Sequence, residues 1–255
     1  MKFNTKIADA QATVVSPIST EKFDFDAYND YEQSLTARCR SFLDSEYGVL
    51  VYRRMRVGEV FSYGCRDMKN SLELQLGALK KSMDYKADVS NFLEPWYGIG
   101  TIASAFGVDY IWNPGQAPAV HYPFEKIADA LTHITPVHET AIGKHTLDMI
   151  EFFLDKTHGR LPVSYCDTQS PLNIATNVVN ITNFMLDLYM DPEGVTQYLE
   201  ILATLLIDFT EKQKGLIGPS LVSPGHGFAS SKVFKGMGMS DDNIVMLSDD
   251  LYESL

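Results

Sequence analysis

Cysteine is scarce in this chain. Cys39, Cys65 and Cys166 are the three present among 255 residues, an odd and widely spaced set without a C-x-x-C pair. Neither a disulfide framework nor a thiolate zinc site is suggested by them. Positive charge is also short: 21 Lys and Arg stand against 33 Asp and Glu, a net charge of −12. The densest basic group, Arg53, Arg54 and Arg56, is too small a stripe to displace counterions from a polyanion, so no nucleic-acid partner is expected. No stretch approaches the roughly 20 apolar residues that cross a bilayer. The opening MKFNTKIADAQATVV lacks the apolar run of a signal peptide. The expectation is a cytoplasmic protein with no membrane partner. There is no G-x-G-x-x-G after a strand-like run and no P-loop, which removes support for the common nucleotide-binding folds.

What remains is ordinary globular material, 45% hydrophobic and 11% aromatic. Residues 1–48 read as a polar, aromatic-dotted extension around FDFDAYNDYEQ, leading to a short helical stretch. GVLVYRRM then reads as a first strand. Leu72, Leu76 and Leu79 recur at helical spacing over 67–85, with lysines late, where they suit the helix dipole. A second apolar run, ADVSNFLEPW, closes on proline. The Pro114-Gly115 pair between aromatic-rich pieces predicts a hairpin within 108–124. A helix follows, with Ile142, Ile150, Phe153 and Leu154 inward and Gly159 as its cap, feeding the alternating strand LPVSYCD. The clearest helix covers 191–214: Asp191 caps it, Pro192 takes the first position, Val195, Leu199, Leu202, Leu206 and Phe209 form its core stripe, and Gly215 ends it. SLVSPGHGF and DNIVML read as further strand material, and SDDLYESL opens a last helix on Ser248. Strands alternating with helices imply parallel pairing through crossovers, with strands near 49–54, 88–93, 161–166 and 219–223. A (β/α) barrel is the expected architecture. Four or five units fall short of the eight a closed barrel has, so the barrel reads as incomplete, about its first half.

Several segments carry a family resemblance: LEPWYGIGTIASAFG, DTQSPLNIATNVVNITNFMLDLYMDPEGV and GMSDDNIVMLSDDLYE. From about residue 48 to the end, the chain resembles the uroporphyrinogen decarboxylase superfamily, which includes the decarboxylase of haem synthesis and cobamide-dependent methyltransferases. The resemblance implies a TIM (β/α)8 barrel of the uroporphyrinogen decarboxylase type over 49–255, truncated at its C-terminus, with a cleft at the C-terminal strand ends. The decarboxylase pattern is broken in three places. YRRMRVGEVFSYG stands where an RQAGR loop would bind substrate carboxylates. SNFL puts Asn91 where the acid of Ser-Asp-Ile-Leu belongs, and an amide cannot steady a pyrrole cation by charge. Asn177 falls on the position of a tyrosine. Uroporphyrinogen is therefore not expected to be a substrate, and the methyltransferase branch looks closer. In that branch zinc is held by His-x-Cys and a later Cys, positions that would lie beyond Leu255. A corrinoid, free or on a protein, is the implied substrate or partner beside a small molecule. Decarboxylation of a porphyrinogen-like carboxylate stays open as an alternative, as does a non-catalytic barrel fragment or ligand-binding protein.

Within the resemblance, Asp167 and His226 are the catalytic candidates. Asn91, Glu94, Gln169, Asn177, Asp241 and Asp242 are the substrate-binding candidates, with no metal ligand among them. Each has a plainer reading. Asp167 could cap the next helix, Glu94 could be a surface carboxylate before Pro95, and Gly225 and Gly227 could simply turn the chain around His226. Asp241 and Asp242 could divide between capping and solvent. If the cleft reading holds, Asp167 and His226 leave neighbouring parallel strands at one end and meet there.

Overall fold

Four short extended segments lie side by side in a computed structural model, which describes residues 15–55, 57, 66–95, 98–113, 118–132 and 134–253. Tyr52 bridges Val89, Leu93 bridges Val163, and Val163 bridges Leu221, each pair parallel. Backbone bonds join the neighbours: Asp88 N donates to Val51 O at 2.8 Å, Leu93 N to Pro162 O at 2.9 Å, and Val163 N to Ser220 O at 2.9 Å. Spatial order thus follows sequence order, in the four places read from the sequence. A helix precedes each of the later three, returning the chain to the start of the next segment as parallel pairing demands.

Those helices are α2 (Met68–Ser82), α4 (Ala141–Thr157) and α7 (Pro192–Ile217). The remaining ones are α1 (Phe25–Leu43), α3 (Ile127–Ala130), α5 (Pro171–Val178), α6 (Ile181–Met190) and α8 (Asp249–Glu253). Leu72, Leu76 and Leu79 of α2, Met149, Ile150 and Phe153 of α4, and Leu93 and Val163 of the parallel segments share one core cluster. A second cluster gathers Val195, Leu202, Leu206 and Phe209 of α7 against α5 and α6. The hairpin is present as β1 (Tyr110–Ile111) antiparallel to β2 (Ala119–Val120); its Pro114-Gly115 turn lies outside the described residues, as do Arg56 and Cys65.

The structure corrects the sequence reading in five places. The "short" N-terminal helix is α1, 19 residues long, capped by Asp24. Its Tyr28 is fully buried and joins the same core as α2 and α4. Helix α7 does not stop at Gly215 but runs to Ile217, with Gly218 at φ 57° beyond it. Gln213 and Ile217 are each 2% exposed, so the last turn packs, and packing outweighs the roughly 1 kcal/mol cost of a helical glycine. Of helices α5 and α6 the sequence reading holds only the first, as the helix that Asp167 could cap. Ser170 Oγ accepts from Asn173 N at 3.1 Å to cap one, and Asn180 Oδ1 accepts from Thr182 N at 2.9 Å to cap the other. Residues 161–170 are buried without interruption, so the third segment is covered on both faces rather than alternating. DNIVML is no strand: Asp241 Oδ1 accepts from Asn243 N and Ile244 N, both at 3.1 Å, and winds the chain into a single turn at Ile244–Met246. Among the described residues no helix is long and apolar enough to cross a membrane.

Candidate active site

Each parallel segment delivers one ionisable side chain to its C-terminal end. Arg54 follows the first, Glu94 the second, Asp167 the third, and His226 the loop after the fourth. Glu94 sits at the centre. Its two oxygens take Arg54 Nη2 at 2.8 and 2.9 Å, and Oε2 also takes Arg54 Nε at 3.3 Å. Gly227 N donates to Oε1 at 3.2 Å, and His226 Nδ1 lies 3.2 Å from the same oxygen. The other imidazole nitrogen, Nε2, is 3.8 Å from Asp167 Oδ1. The ring is therefore held between two carboxyl groups, with its side chain 12% exposed.

The backbone of Glu94 is fixed from behind as well. Gln75 of α2 accepts from Glu94 N at 2.7 Å and donates to Glu94 O at 3.1 Å. Burial opposes ionisation of Glu94. The Arg54 guanidinium and the His226 imidazole outweigh it and hold the carboxyl down to about 2. The Tyr52 phenol is pushed up, by burial first and by the Glu94 charge second. On the third segment, burial and the adjoining Asp167 push the Cys166 thiol up to about 12. A thiol held protonated is a poor nucleophile and a poor metal ligand.

The loop that carries His226 needs its glycines. Gly225 has φ 109° and Gly227 φ 79°. A Cβ on Gly225 would come within 3.1 Å of the Tyr165 ring, so backbone lies directly on the third segment there. Ser223 N donates to Ser231 O at 3.2 Å and Ser231 N returns to Ser223 O at 2.9 Å, closing the loop at its base.

Other sequence candidates divide between this cluster and the scaffold. Gln169 Nε2 donates to Asp167 Oδ1 at 2.8 Å, and its Oε1 accepts from Asn173 at 2.8 Å, which orients the aspartate. The cap of α5 is Ser170, not Asp167. Ser170 Oγ donates to Asp241 Oδ2 at 2.7 Å, so Asp241 is tied into the base of α5. Asp242 is exposed and meets α5 through its backbone N–H, which donates to Asn173 Oδ1 at 3.1 Å. Asn177 donates to Ile99 O at 3.4 Å. Asn91 is engaged by main chain on both sides: Oδ1 accepts from Met55 N at 2.8 Å and Nδ2 donates to Arg53 O at 3.0 Å. Its amide thereby stitches the first segment to the second. Sequence reasoning had noticed Arg54 without placing it in the site. Its position directly after a strand, like that of Glu94, was the available signal.

Zinc does not fit the described residues. Among them no cluster of three His, Cys, Asp or Glu is arranged to hold a metal ion. The Glu94 oxygens are occupied by Arg54 and Gly227.

Parallel segments in sequential order, helical crossovers and a polar cluster at the C-terminal strand ends define an α/β protein of the TIM-barrel type. The chain belongs to the uroporphyrinogen decarboxylase (URO-D) family, whose model matches residues 48–216. A methyltransferase from Methanosarcina mazei has a similar fold, with a TM-score of 0.55 at 16% identity over 74% of this chain and 61% of that one. The chain thus spans less than two thirds of that methyltransferase's length. No curated protein gives a significant sequence match.

Proposed function

We propose that the protein takes part in methyl transfer between a small methylated molecule or thiol and a corrinoid, with His226 moving the proton. The observation that carries this reading is the imidazole held between Glu94 and Asp167 at the strand ends. A methyl group leaving oxygen, nitrogen or sulfur departs without its bonding pair. The atom left behind gains that pair and takes a proton, and a thiol that accepts methyl loses one. An imidazole held near two carboxyl groups is suited to either task, and such proton transfer contributes roughly 10²–10⁴-fold to rate. Asp167 faces the ring at 3.8 Å, and Gln169 orients Asp167. Glu94, neutralised by Arg54, serves as a fixed acceptor rather than a base.

Decarboxylation of a polycarboxylate is less well supported, because the cation nearest Glu94 is already committed: Arg54 chelates that carboxylate and is not poised to clamp one on a substrate.

The test mixes the protein with methylcobalamin and a thiol, then with reduced cobalamin and simple O- or N-methyl donors, following the corrinoid's visible spectrum. Demethylation or remethylation above background is expected, falling by about 100-fold in His226→Ala. Equal rates in the wild type and His226→Ala would overturn the assignment. Coproporphyrinogen formed from uroporphyrinogen under anaerobic conditions would replace it with the decarboxylase reading.

A further inference from the structure

A cavity of about 450 Å³ opens at the same end of the strands as the polar cluster, and its walls include Arg66, Asp109, Tyr110, Trp112, Ile142 and His145. Its location follows from topology. Helices α2 and α4 each run into the start of a parallel segment, so their N-termini lie at the opposite, C-terminal end. Arg66 immediately precedes α2, while Ile142 and His145 fall in the first turns of α4. The hairpin closes the remaining side. Gly100 touches it so closely that a Cβ would come within 2.6 Å of Val120 and 2.8 Å of Tyr110. The Tyr110 hydroxyl donates to Gly98 O at 3.0 Å and accepts from Gly100 N at 3.1 Å, fastening the hairpin to the loop just beyond Glu94. Burial pushes the Tyr110 phenol up, and the Asp167 charge adds to it.

We propose that this cavity is a recognition subsite for a planar aromatic anion, the part of a substrate that sits next to the reacting group. Its size falls within the roughly 300–1,000 Å³ range of small-molecule sites and suits one or two rings. The aromatic walls are set in advance: Tyr110 and Trp112 meet edge to face, with centroids 5.6 Å apart. The cation is set as well, with the Arg66 guanidinium 5.3 Å over the Trp112 ring. A ligand meeting this wall loses little to ordering its partners. His145 adds no second charge at neutral pH, because burial, reinforced by Arg66 and only partly offset by Asp148, holds it below its usual range. Asp109 is exposed, so solvent screens its charge, and it offers an acceptor for a hydroxyl or amino substituent. The inference deepens the methyl-transfer reading, since it specifies the molecule that would bring or take the methyl group.

Titration calorimetry with benzoate tests it, with benzamide and acetate as probes that lack the charge or the ring. Benzoate is expected to bind, and to bind more tightly than either control. Arg66→Gln should weaken it by roughly tenfold, the scale of one charge-assisted hydrogen bond. Trp112→Leu should weaken it comparably and Trp112→Phe much less, with circular dichroism confirming the fold of each variant. His226→Ala should leave benzoate affinity unchanged, so loss of methyl transfer and loss of the subsite are separable results. Absence of benzoate binding, or binding indifferent to both Arg66→Gln and Trp112→Leu, overturns the proposal.

Discussion

At the scale of single residues, the chemistry rests on one carboxylate. Glu94 gathers a guanidinium, an imidazole and a backbone N–H into a space that water barely enters, and it stays charged because Arg54 compensates it. Glu94→Gln leaves that guanidinium largely buried without its counter-charge, and a loss of about 3 kcal/mol in urea unfolding is expected. The same pair sets an acid limit. Glu94 titrates about 2 in the fold against an ordinary 4.5, so the unfolded chain takes the proton first. Its contribution is complete above pH 4.5 and disappears as pH falls toward 2. The stability gap between wild type and Glu94→Gln should therefore narrow below pH 4.5; a constant gap would contradict the ion pair's role. Asn91 offers a contrasting case. Asn91→Asp restores the acid found in the decarboxylases, but a carboxylate cannot donate to Arg53 O. The expected result is a protein about 2 kcal/mol less stable, with no decarboxylase activity gained.

Among the elements, the legible ones were those whose signal is local. Asp191-Pro192 followed by a three-and-four stripe announces α7 by itself, and LPVSYCD announces a strand, though an alternating one rather than the fully buried one found. The bounds of α5, and α6 altogether, escape a local reading because each helix is ten residues or shorter and their caps, Ser170 and Asn180, sit within a run of small and β-branched residues that mimics loop. The end of α7 was misread because glycine stops an exposed helix more readily than one whose last turn packs. Gly215 is exposed, with nothing within 4 Å of the place a Cβ would occupy. Gly215→Ala should therefore raise the denaturation midpoint, by about 0.5–1 kcal/mol in stability. Ser170→Ala should do the reverse by about 1–2 kcal/mol, since one hydroxyl both caps α5 and holds Asp241. Thermal melts of the two variants, read against the wild type, check both signs.

For the molecule as a whole, strand positions and order were legible because parallel pairing follows from alternating strands and helices. The convergence of Asp167 and His226 could be anticipated from the same topology. The partners that give those residues their setting could not. That Arg54 would chelate Glu94, that Gln75 would brace it from α2, and that Arg66 and Trp112 would share a cavity with α4 are facts of packing between segments 19 or more residues apart. No local pattern encodes such distances. The URO-D family match and the methyltransferase-like fold agree with the architecture without naming a substrate.

The order of the four segments also gives the site a history within each molecule. Synthesis proceeds from the N-terminus, so Arg54, Gln75 and Glu94 leave the ribosome well before residue 226 exists. Their mutual bonds involve nothing downstream, and the first two strand-helix units contain all of them. Every residue that binds the carboxylate side chain from the first two units is therefore made before the imidazole it meets, and the site is completed only by the fourth segment.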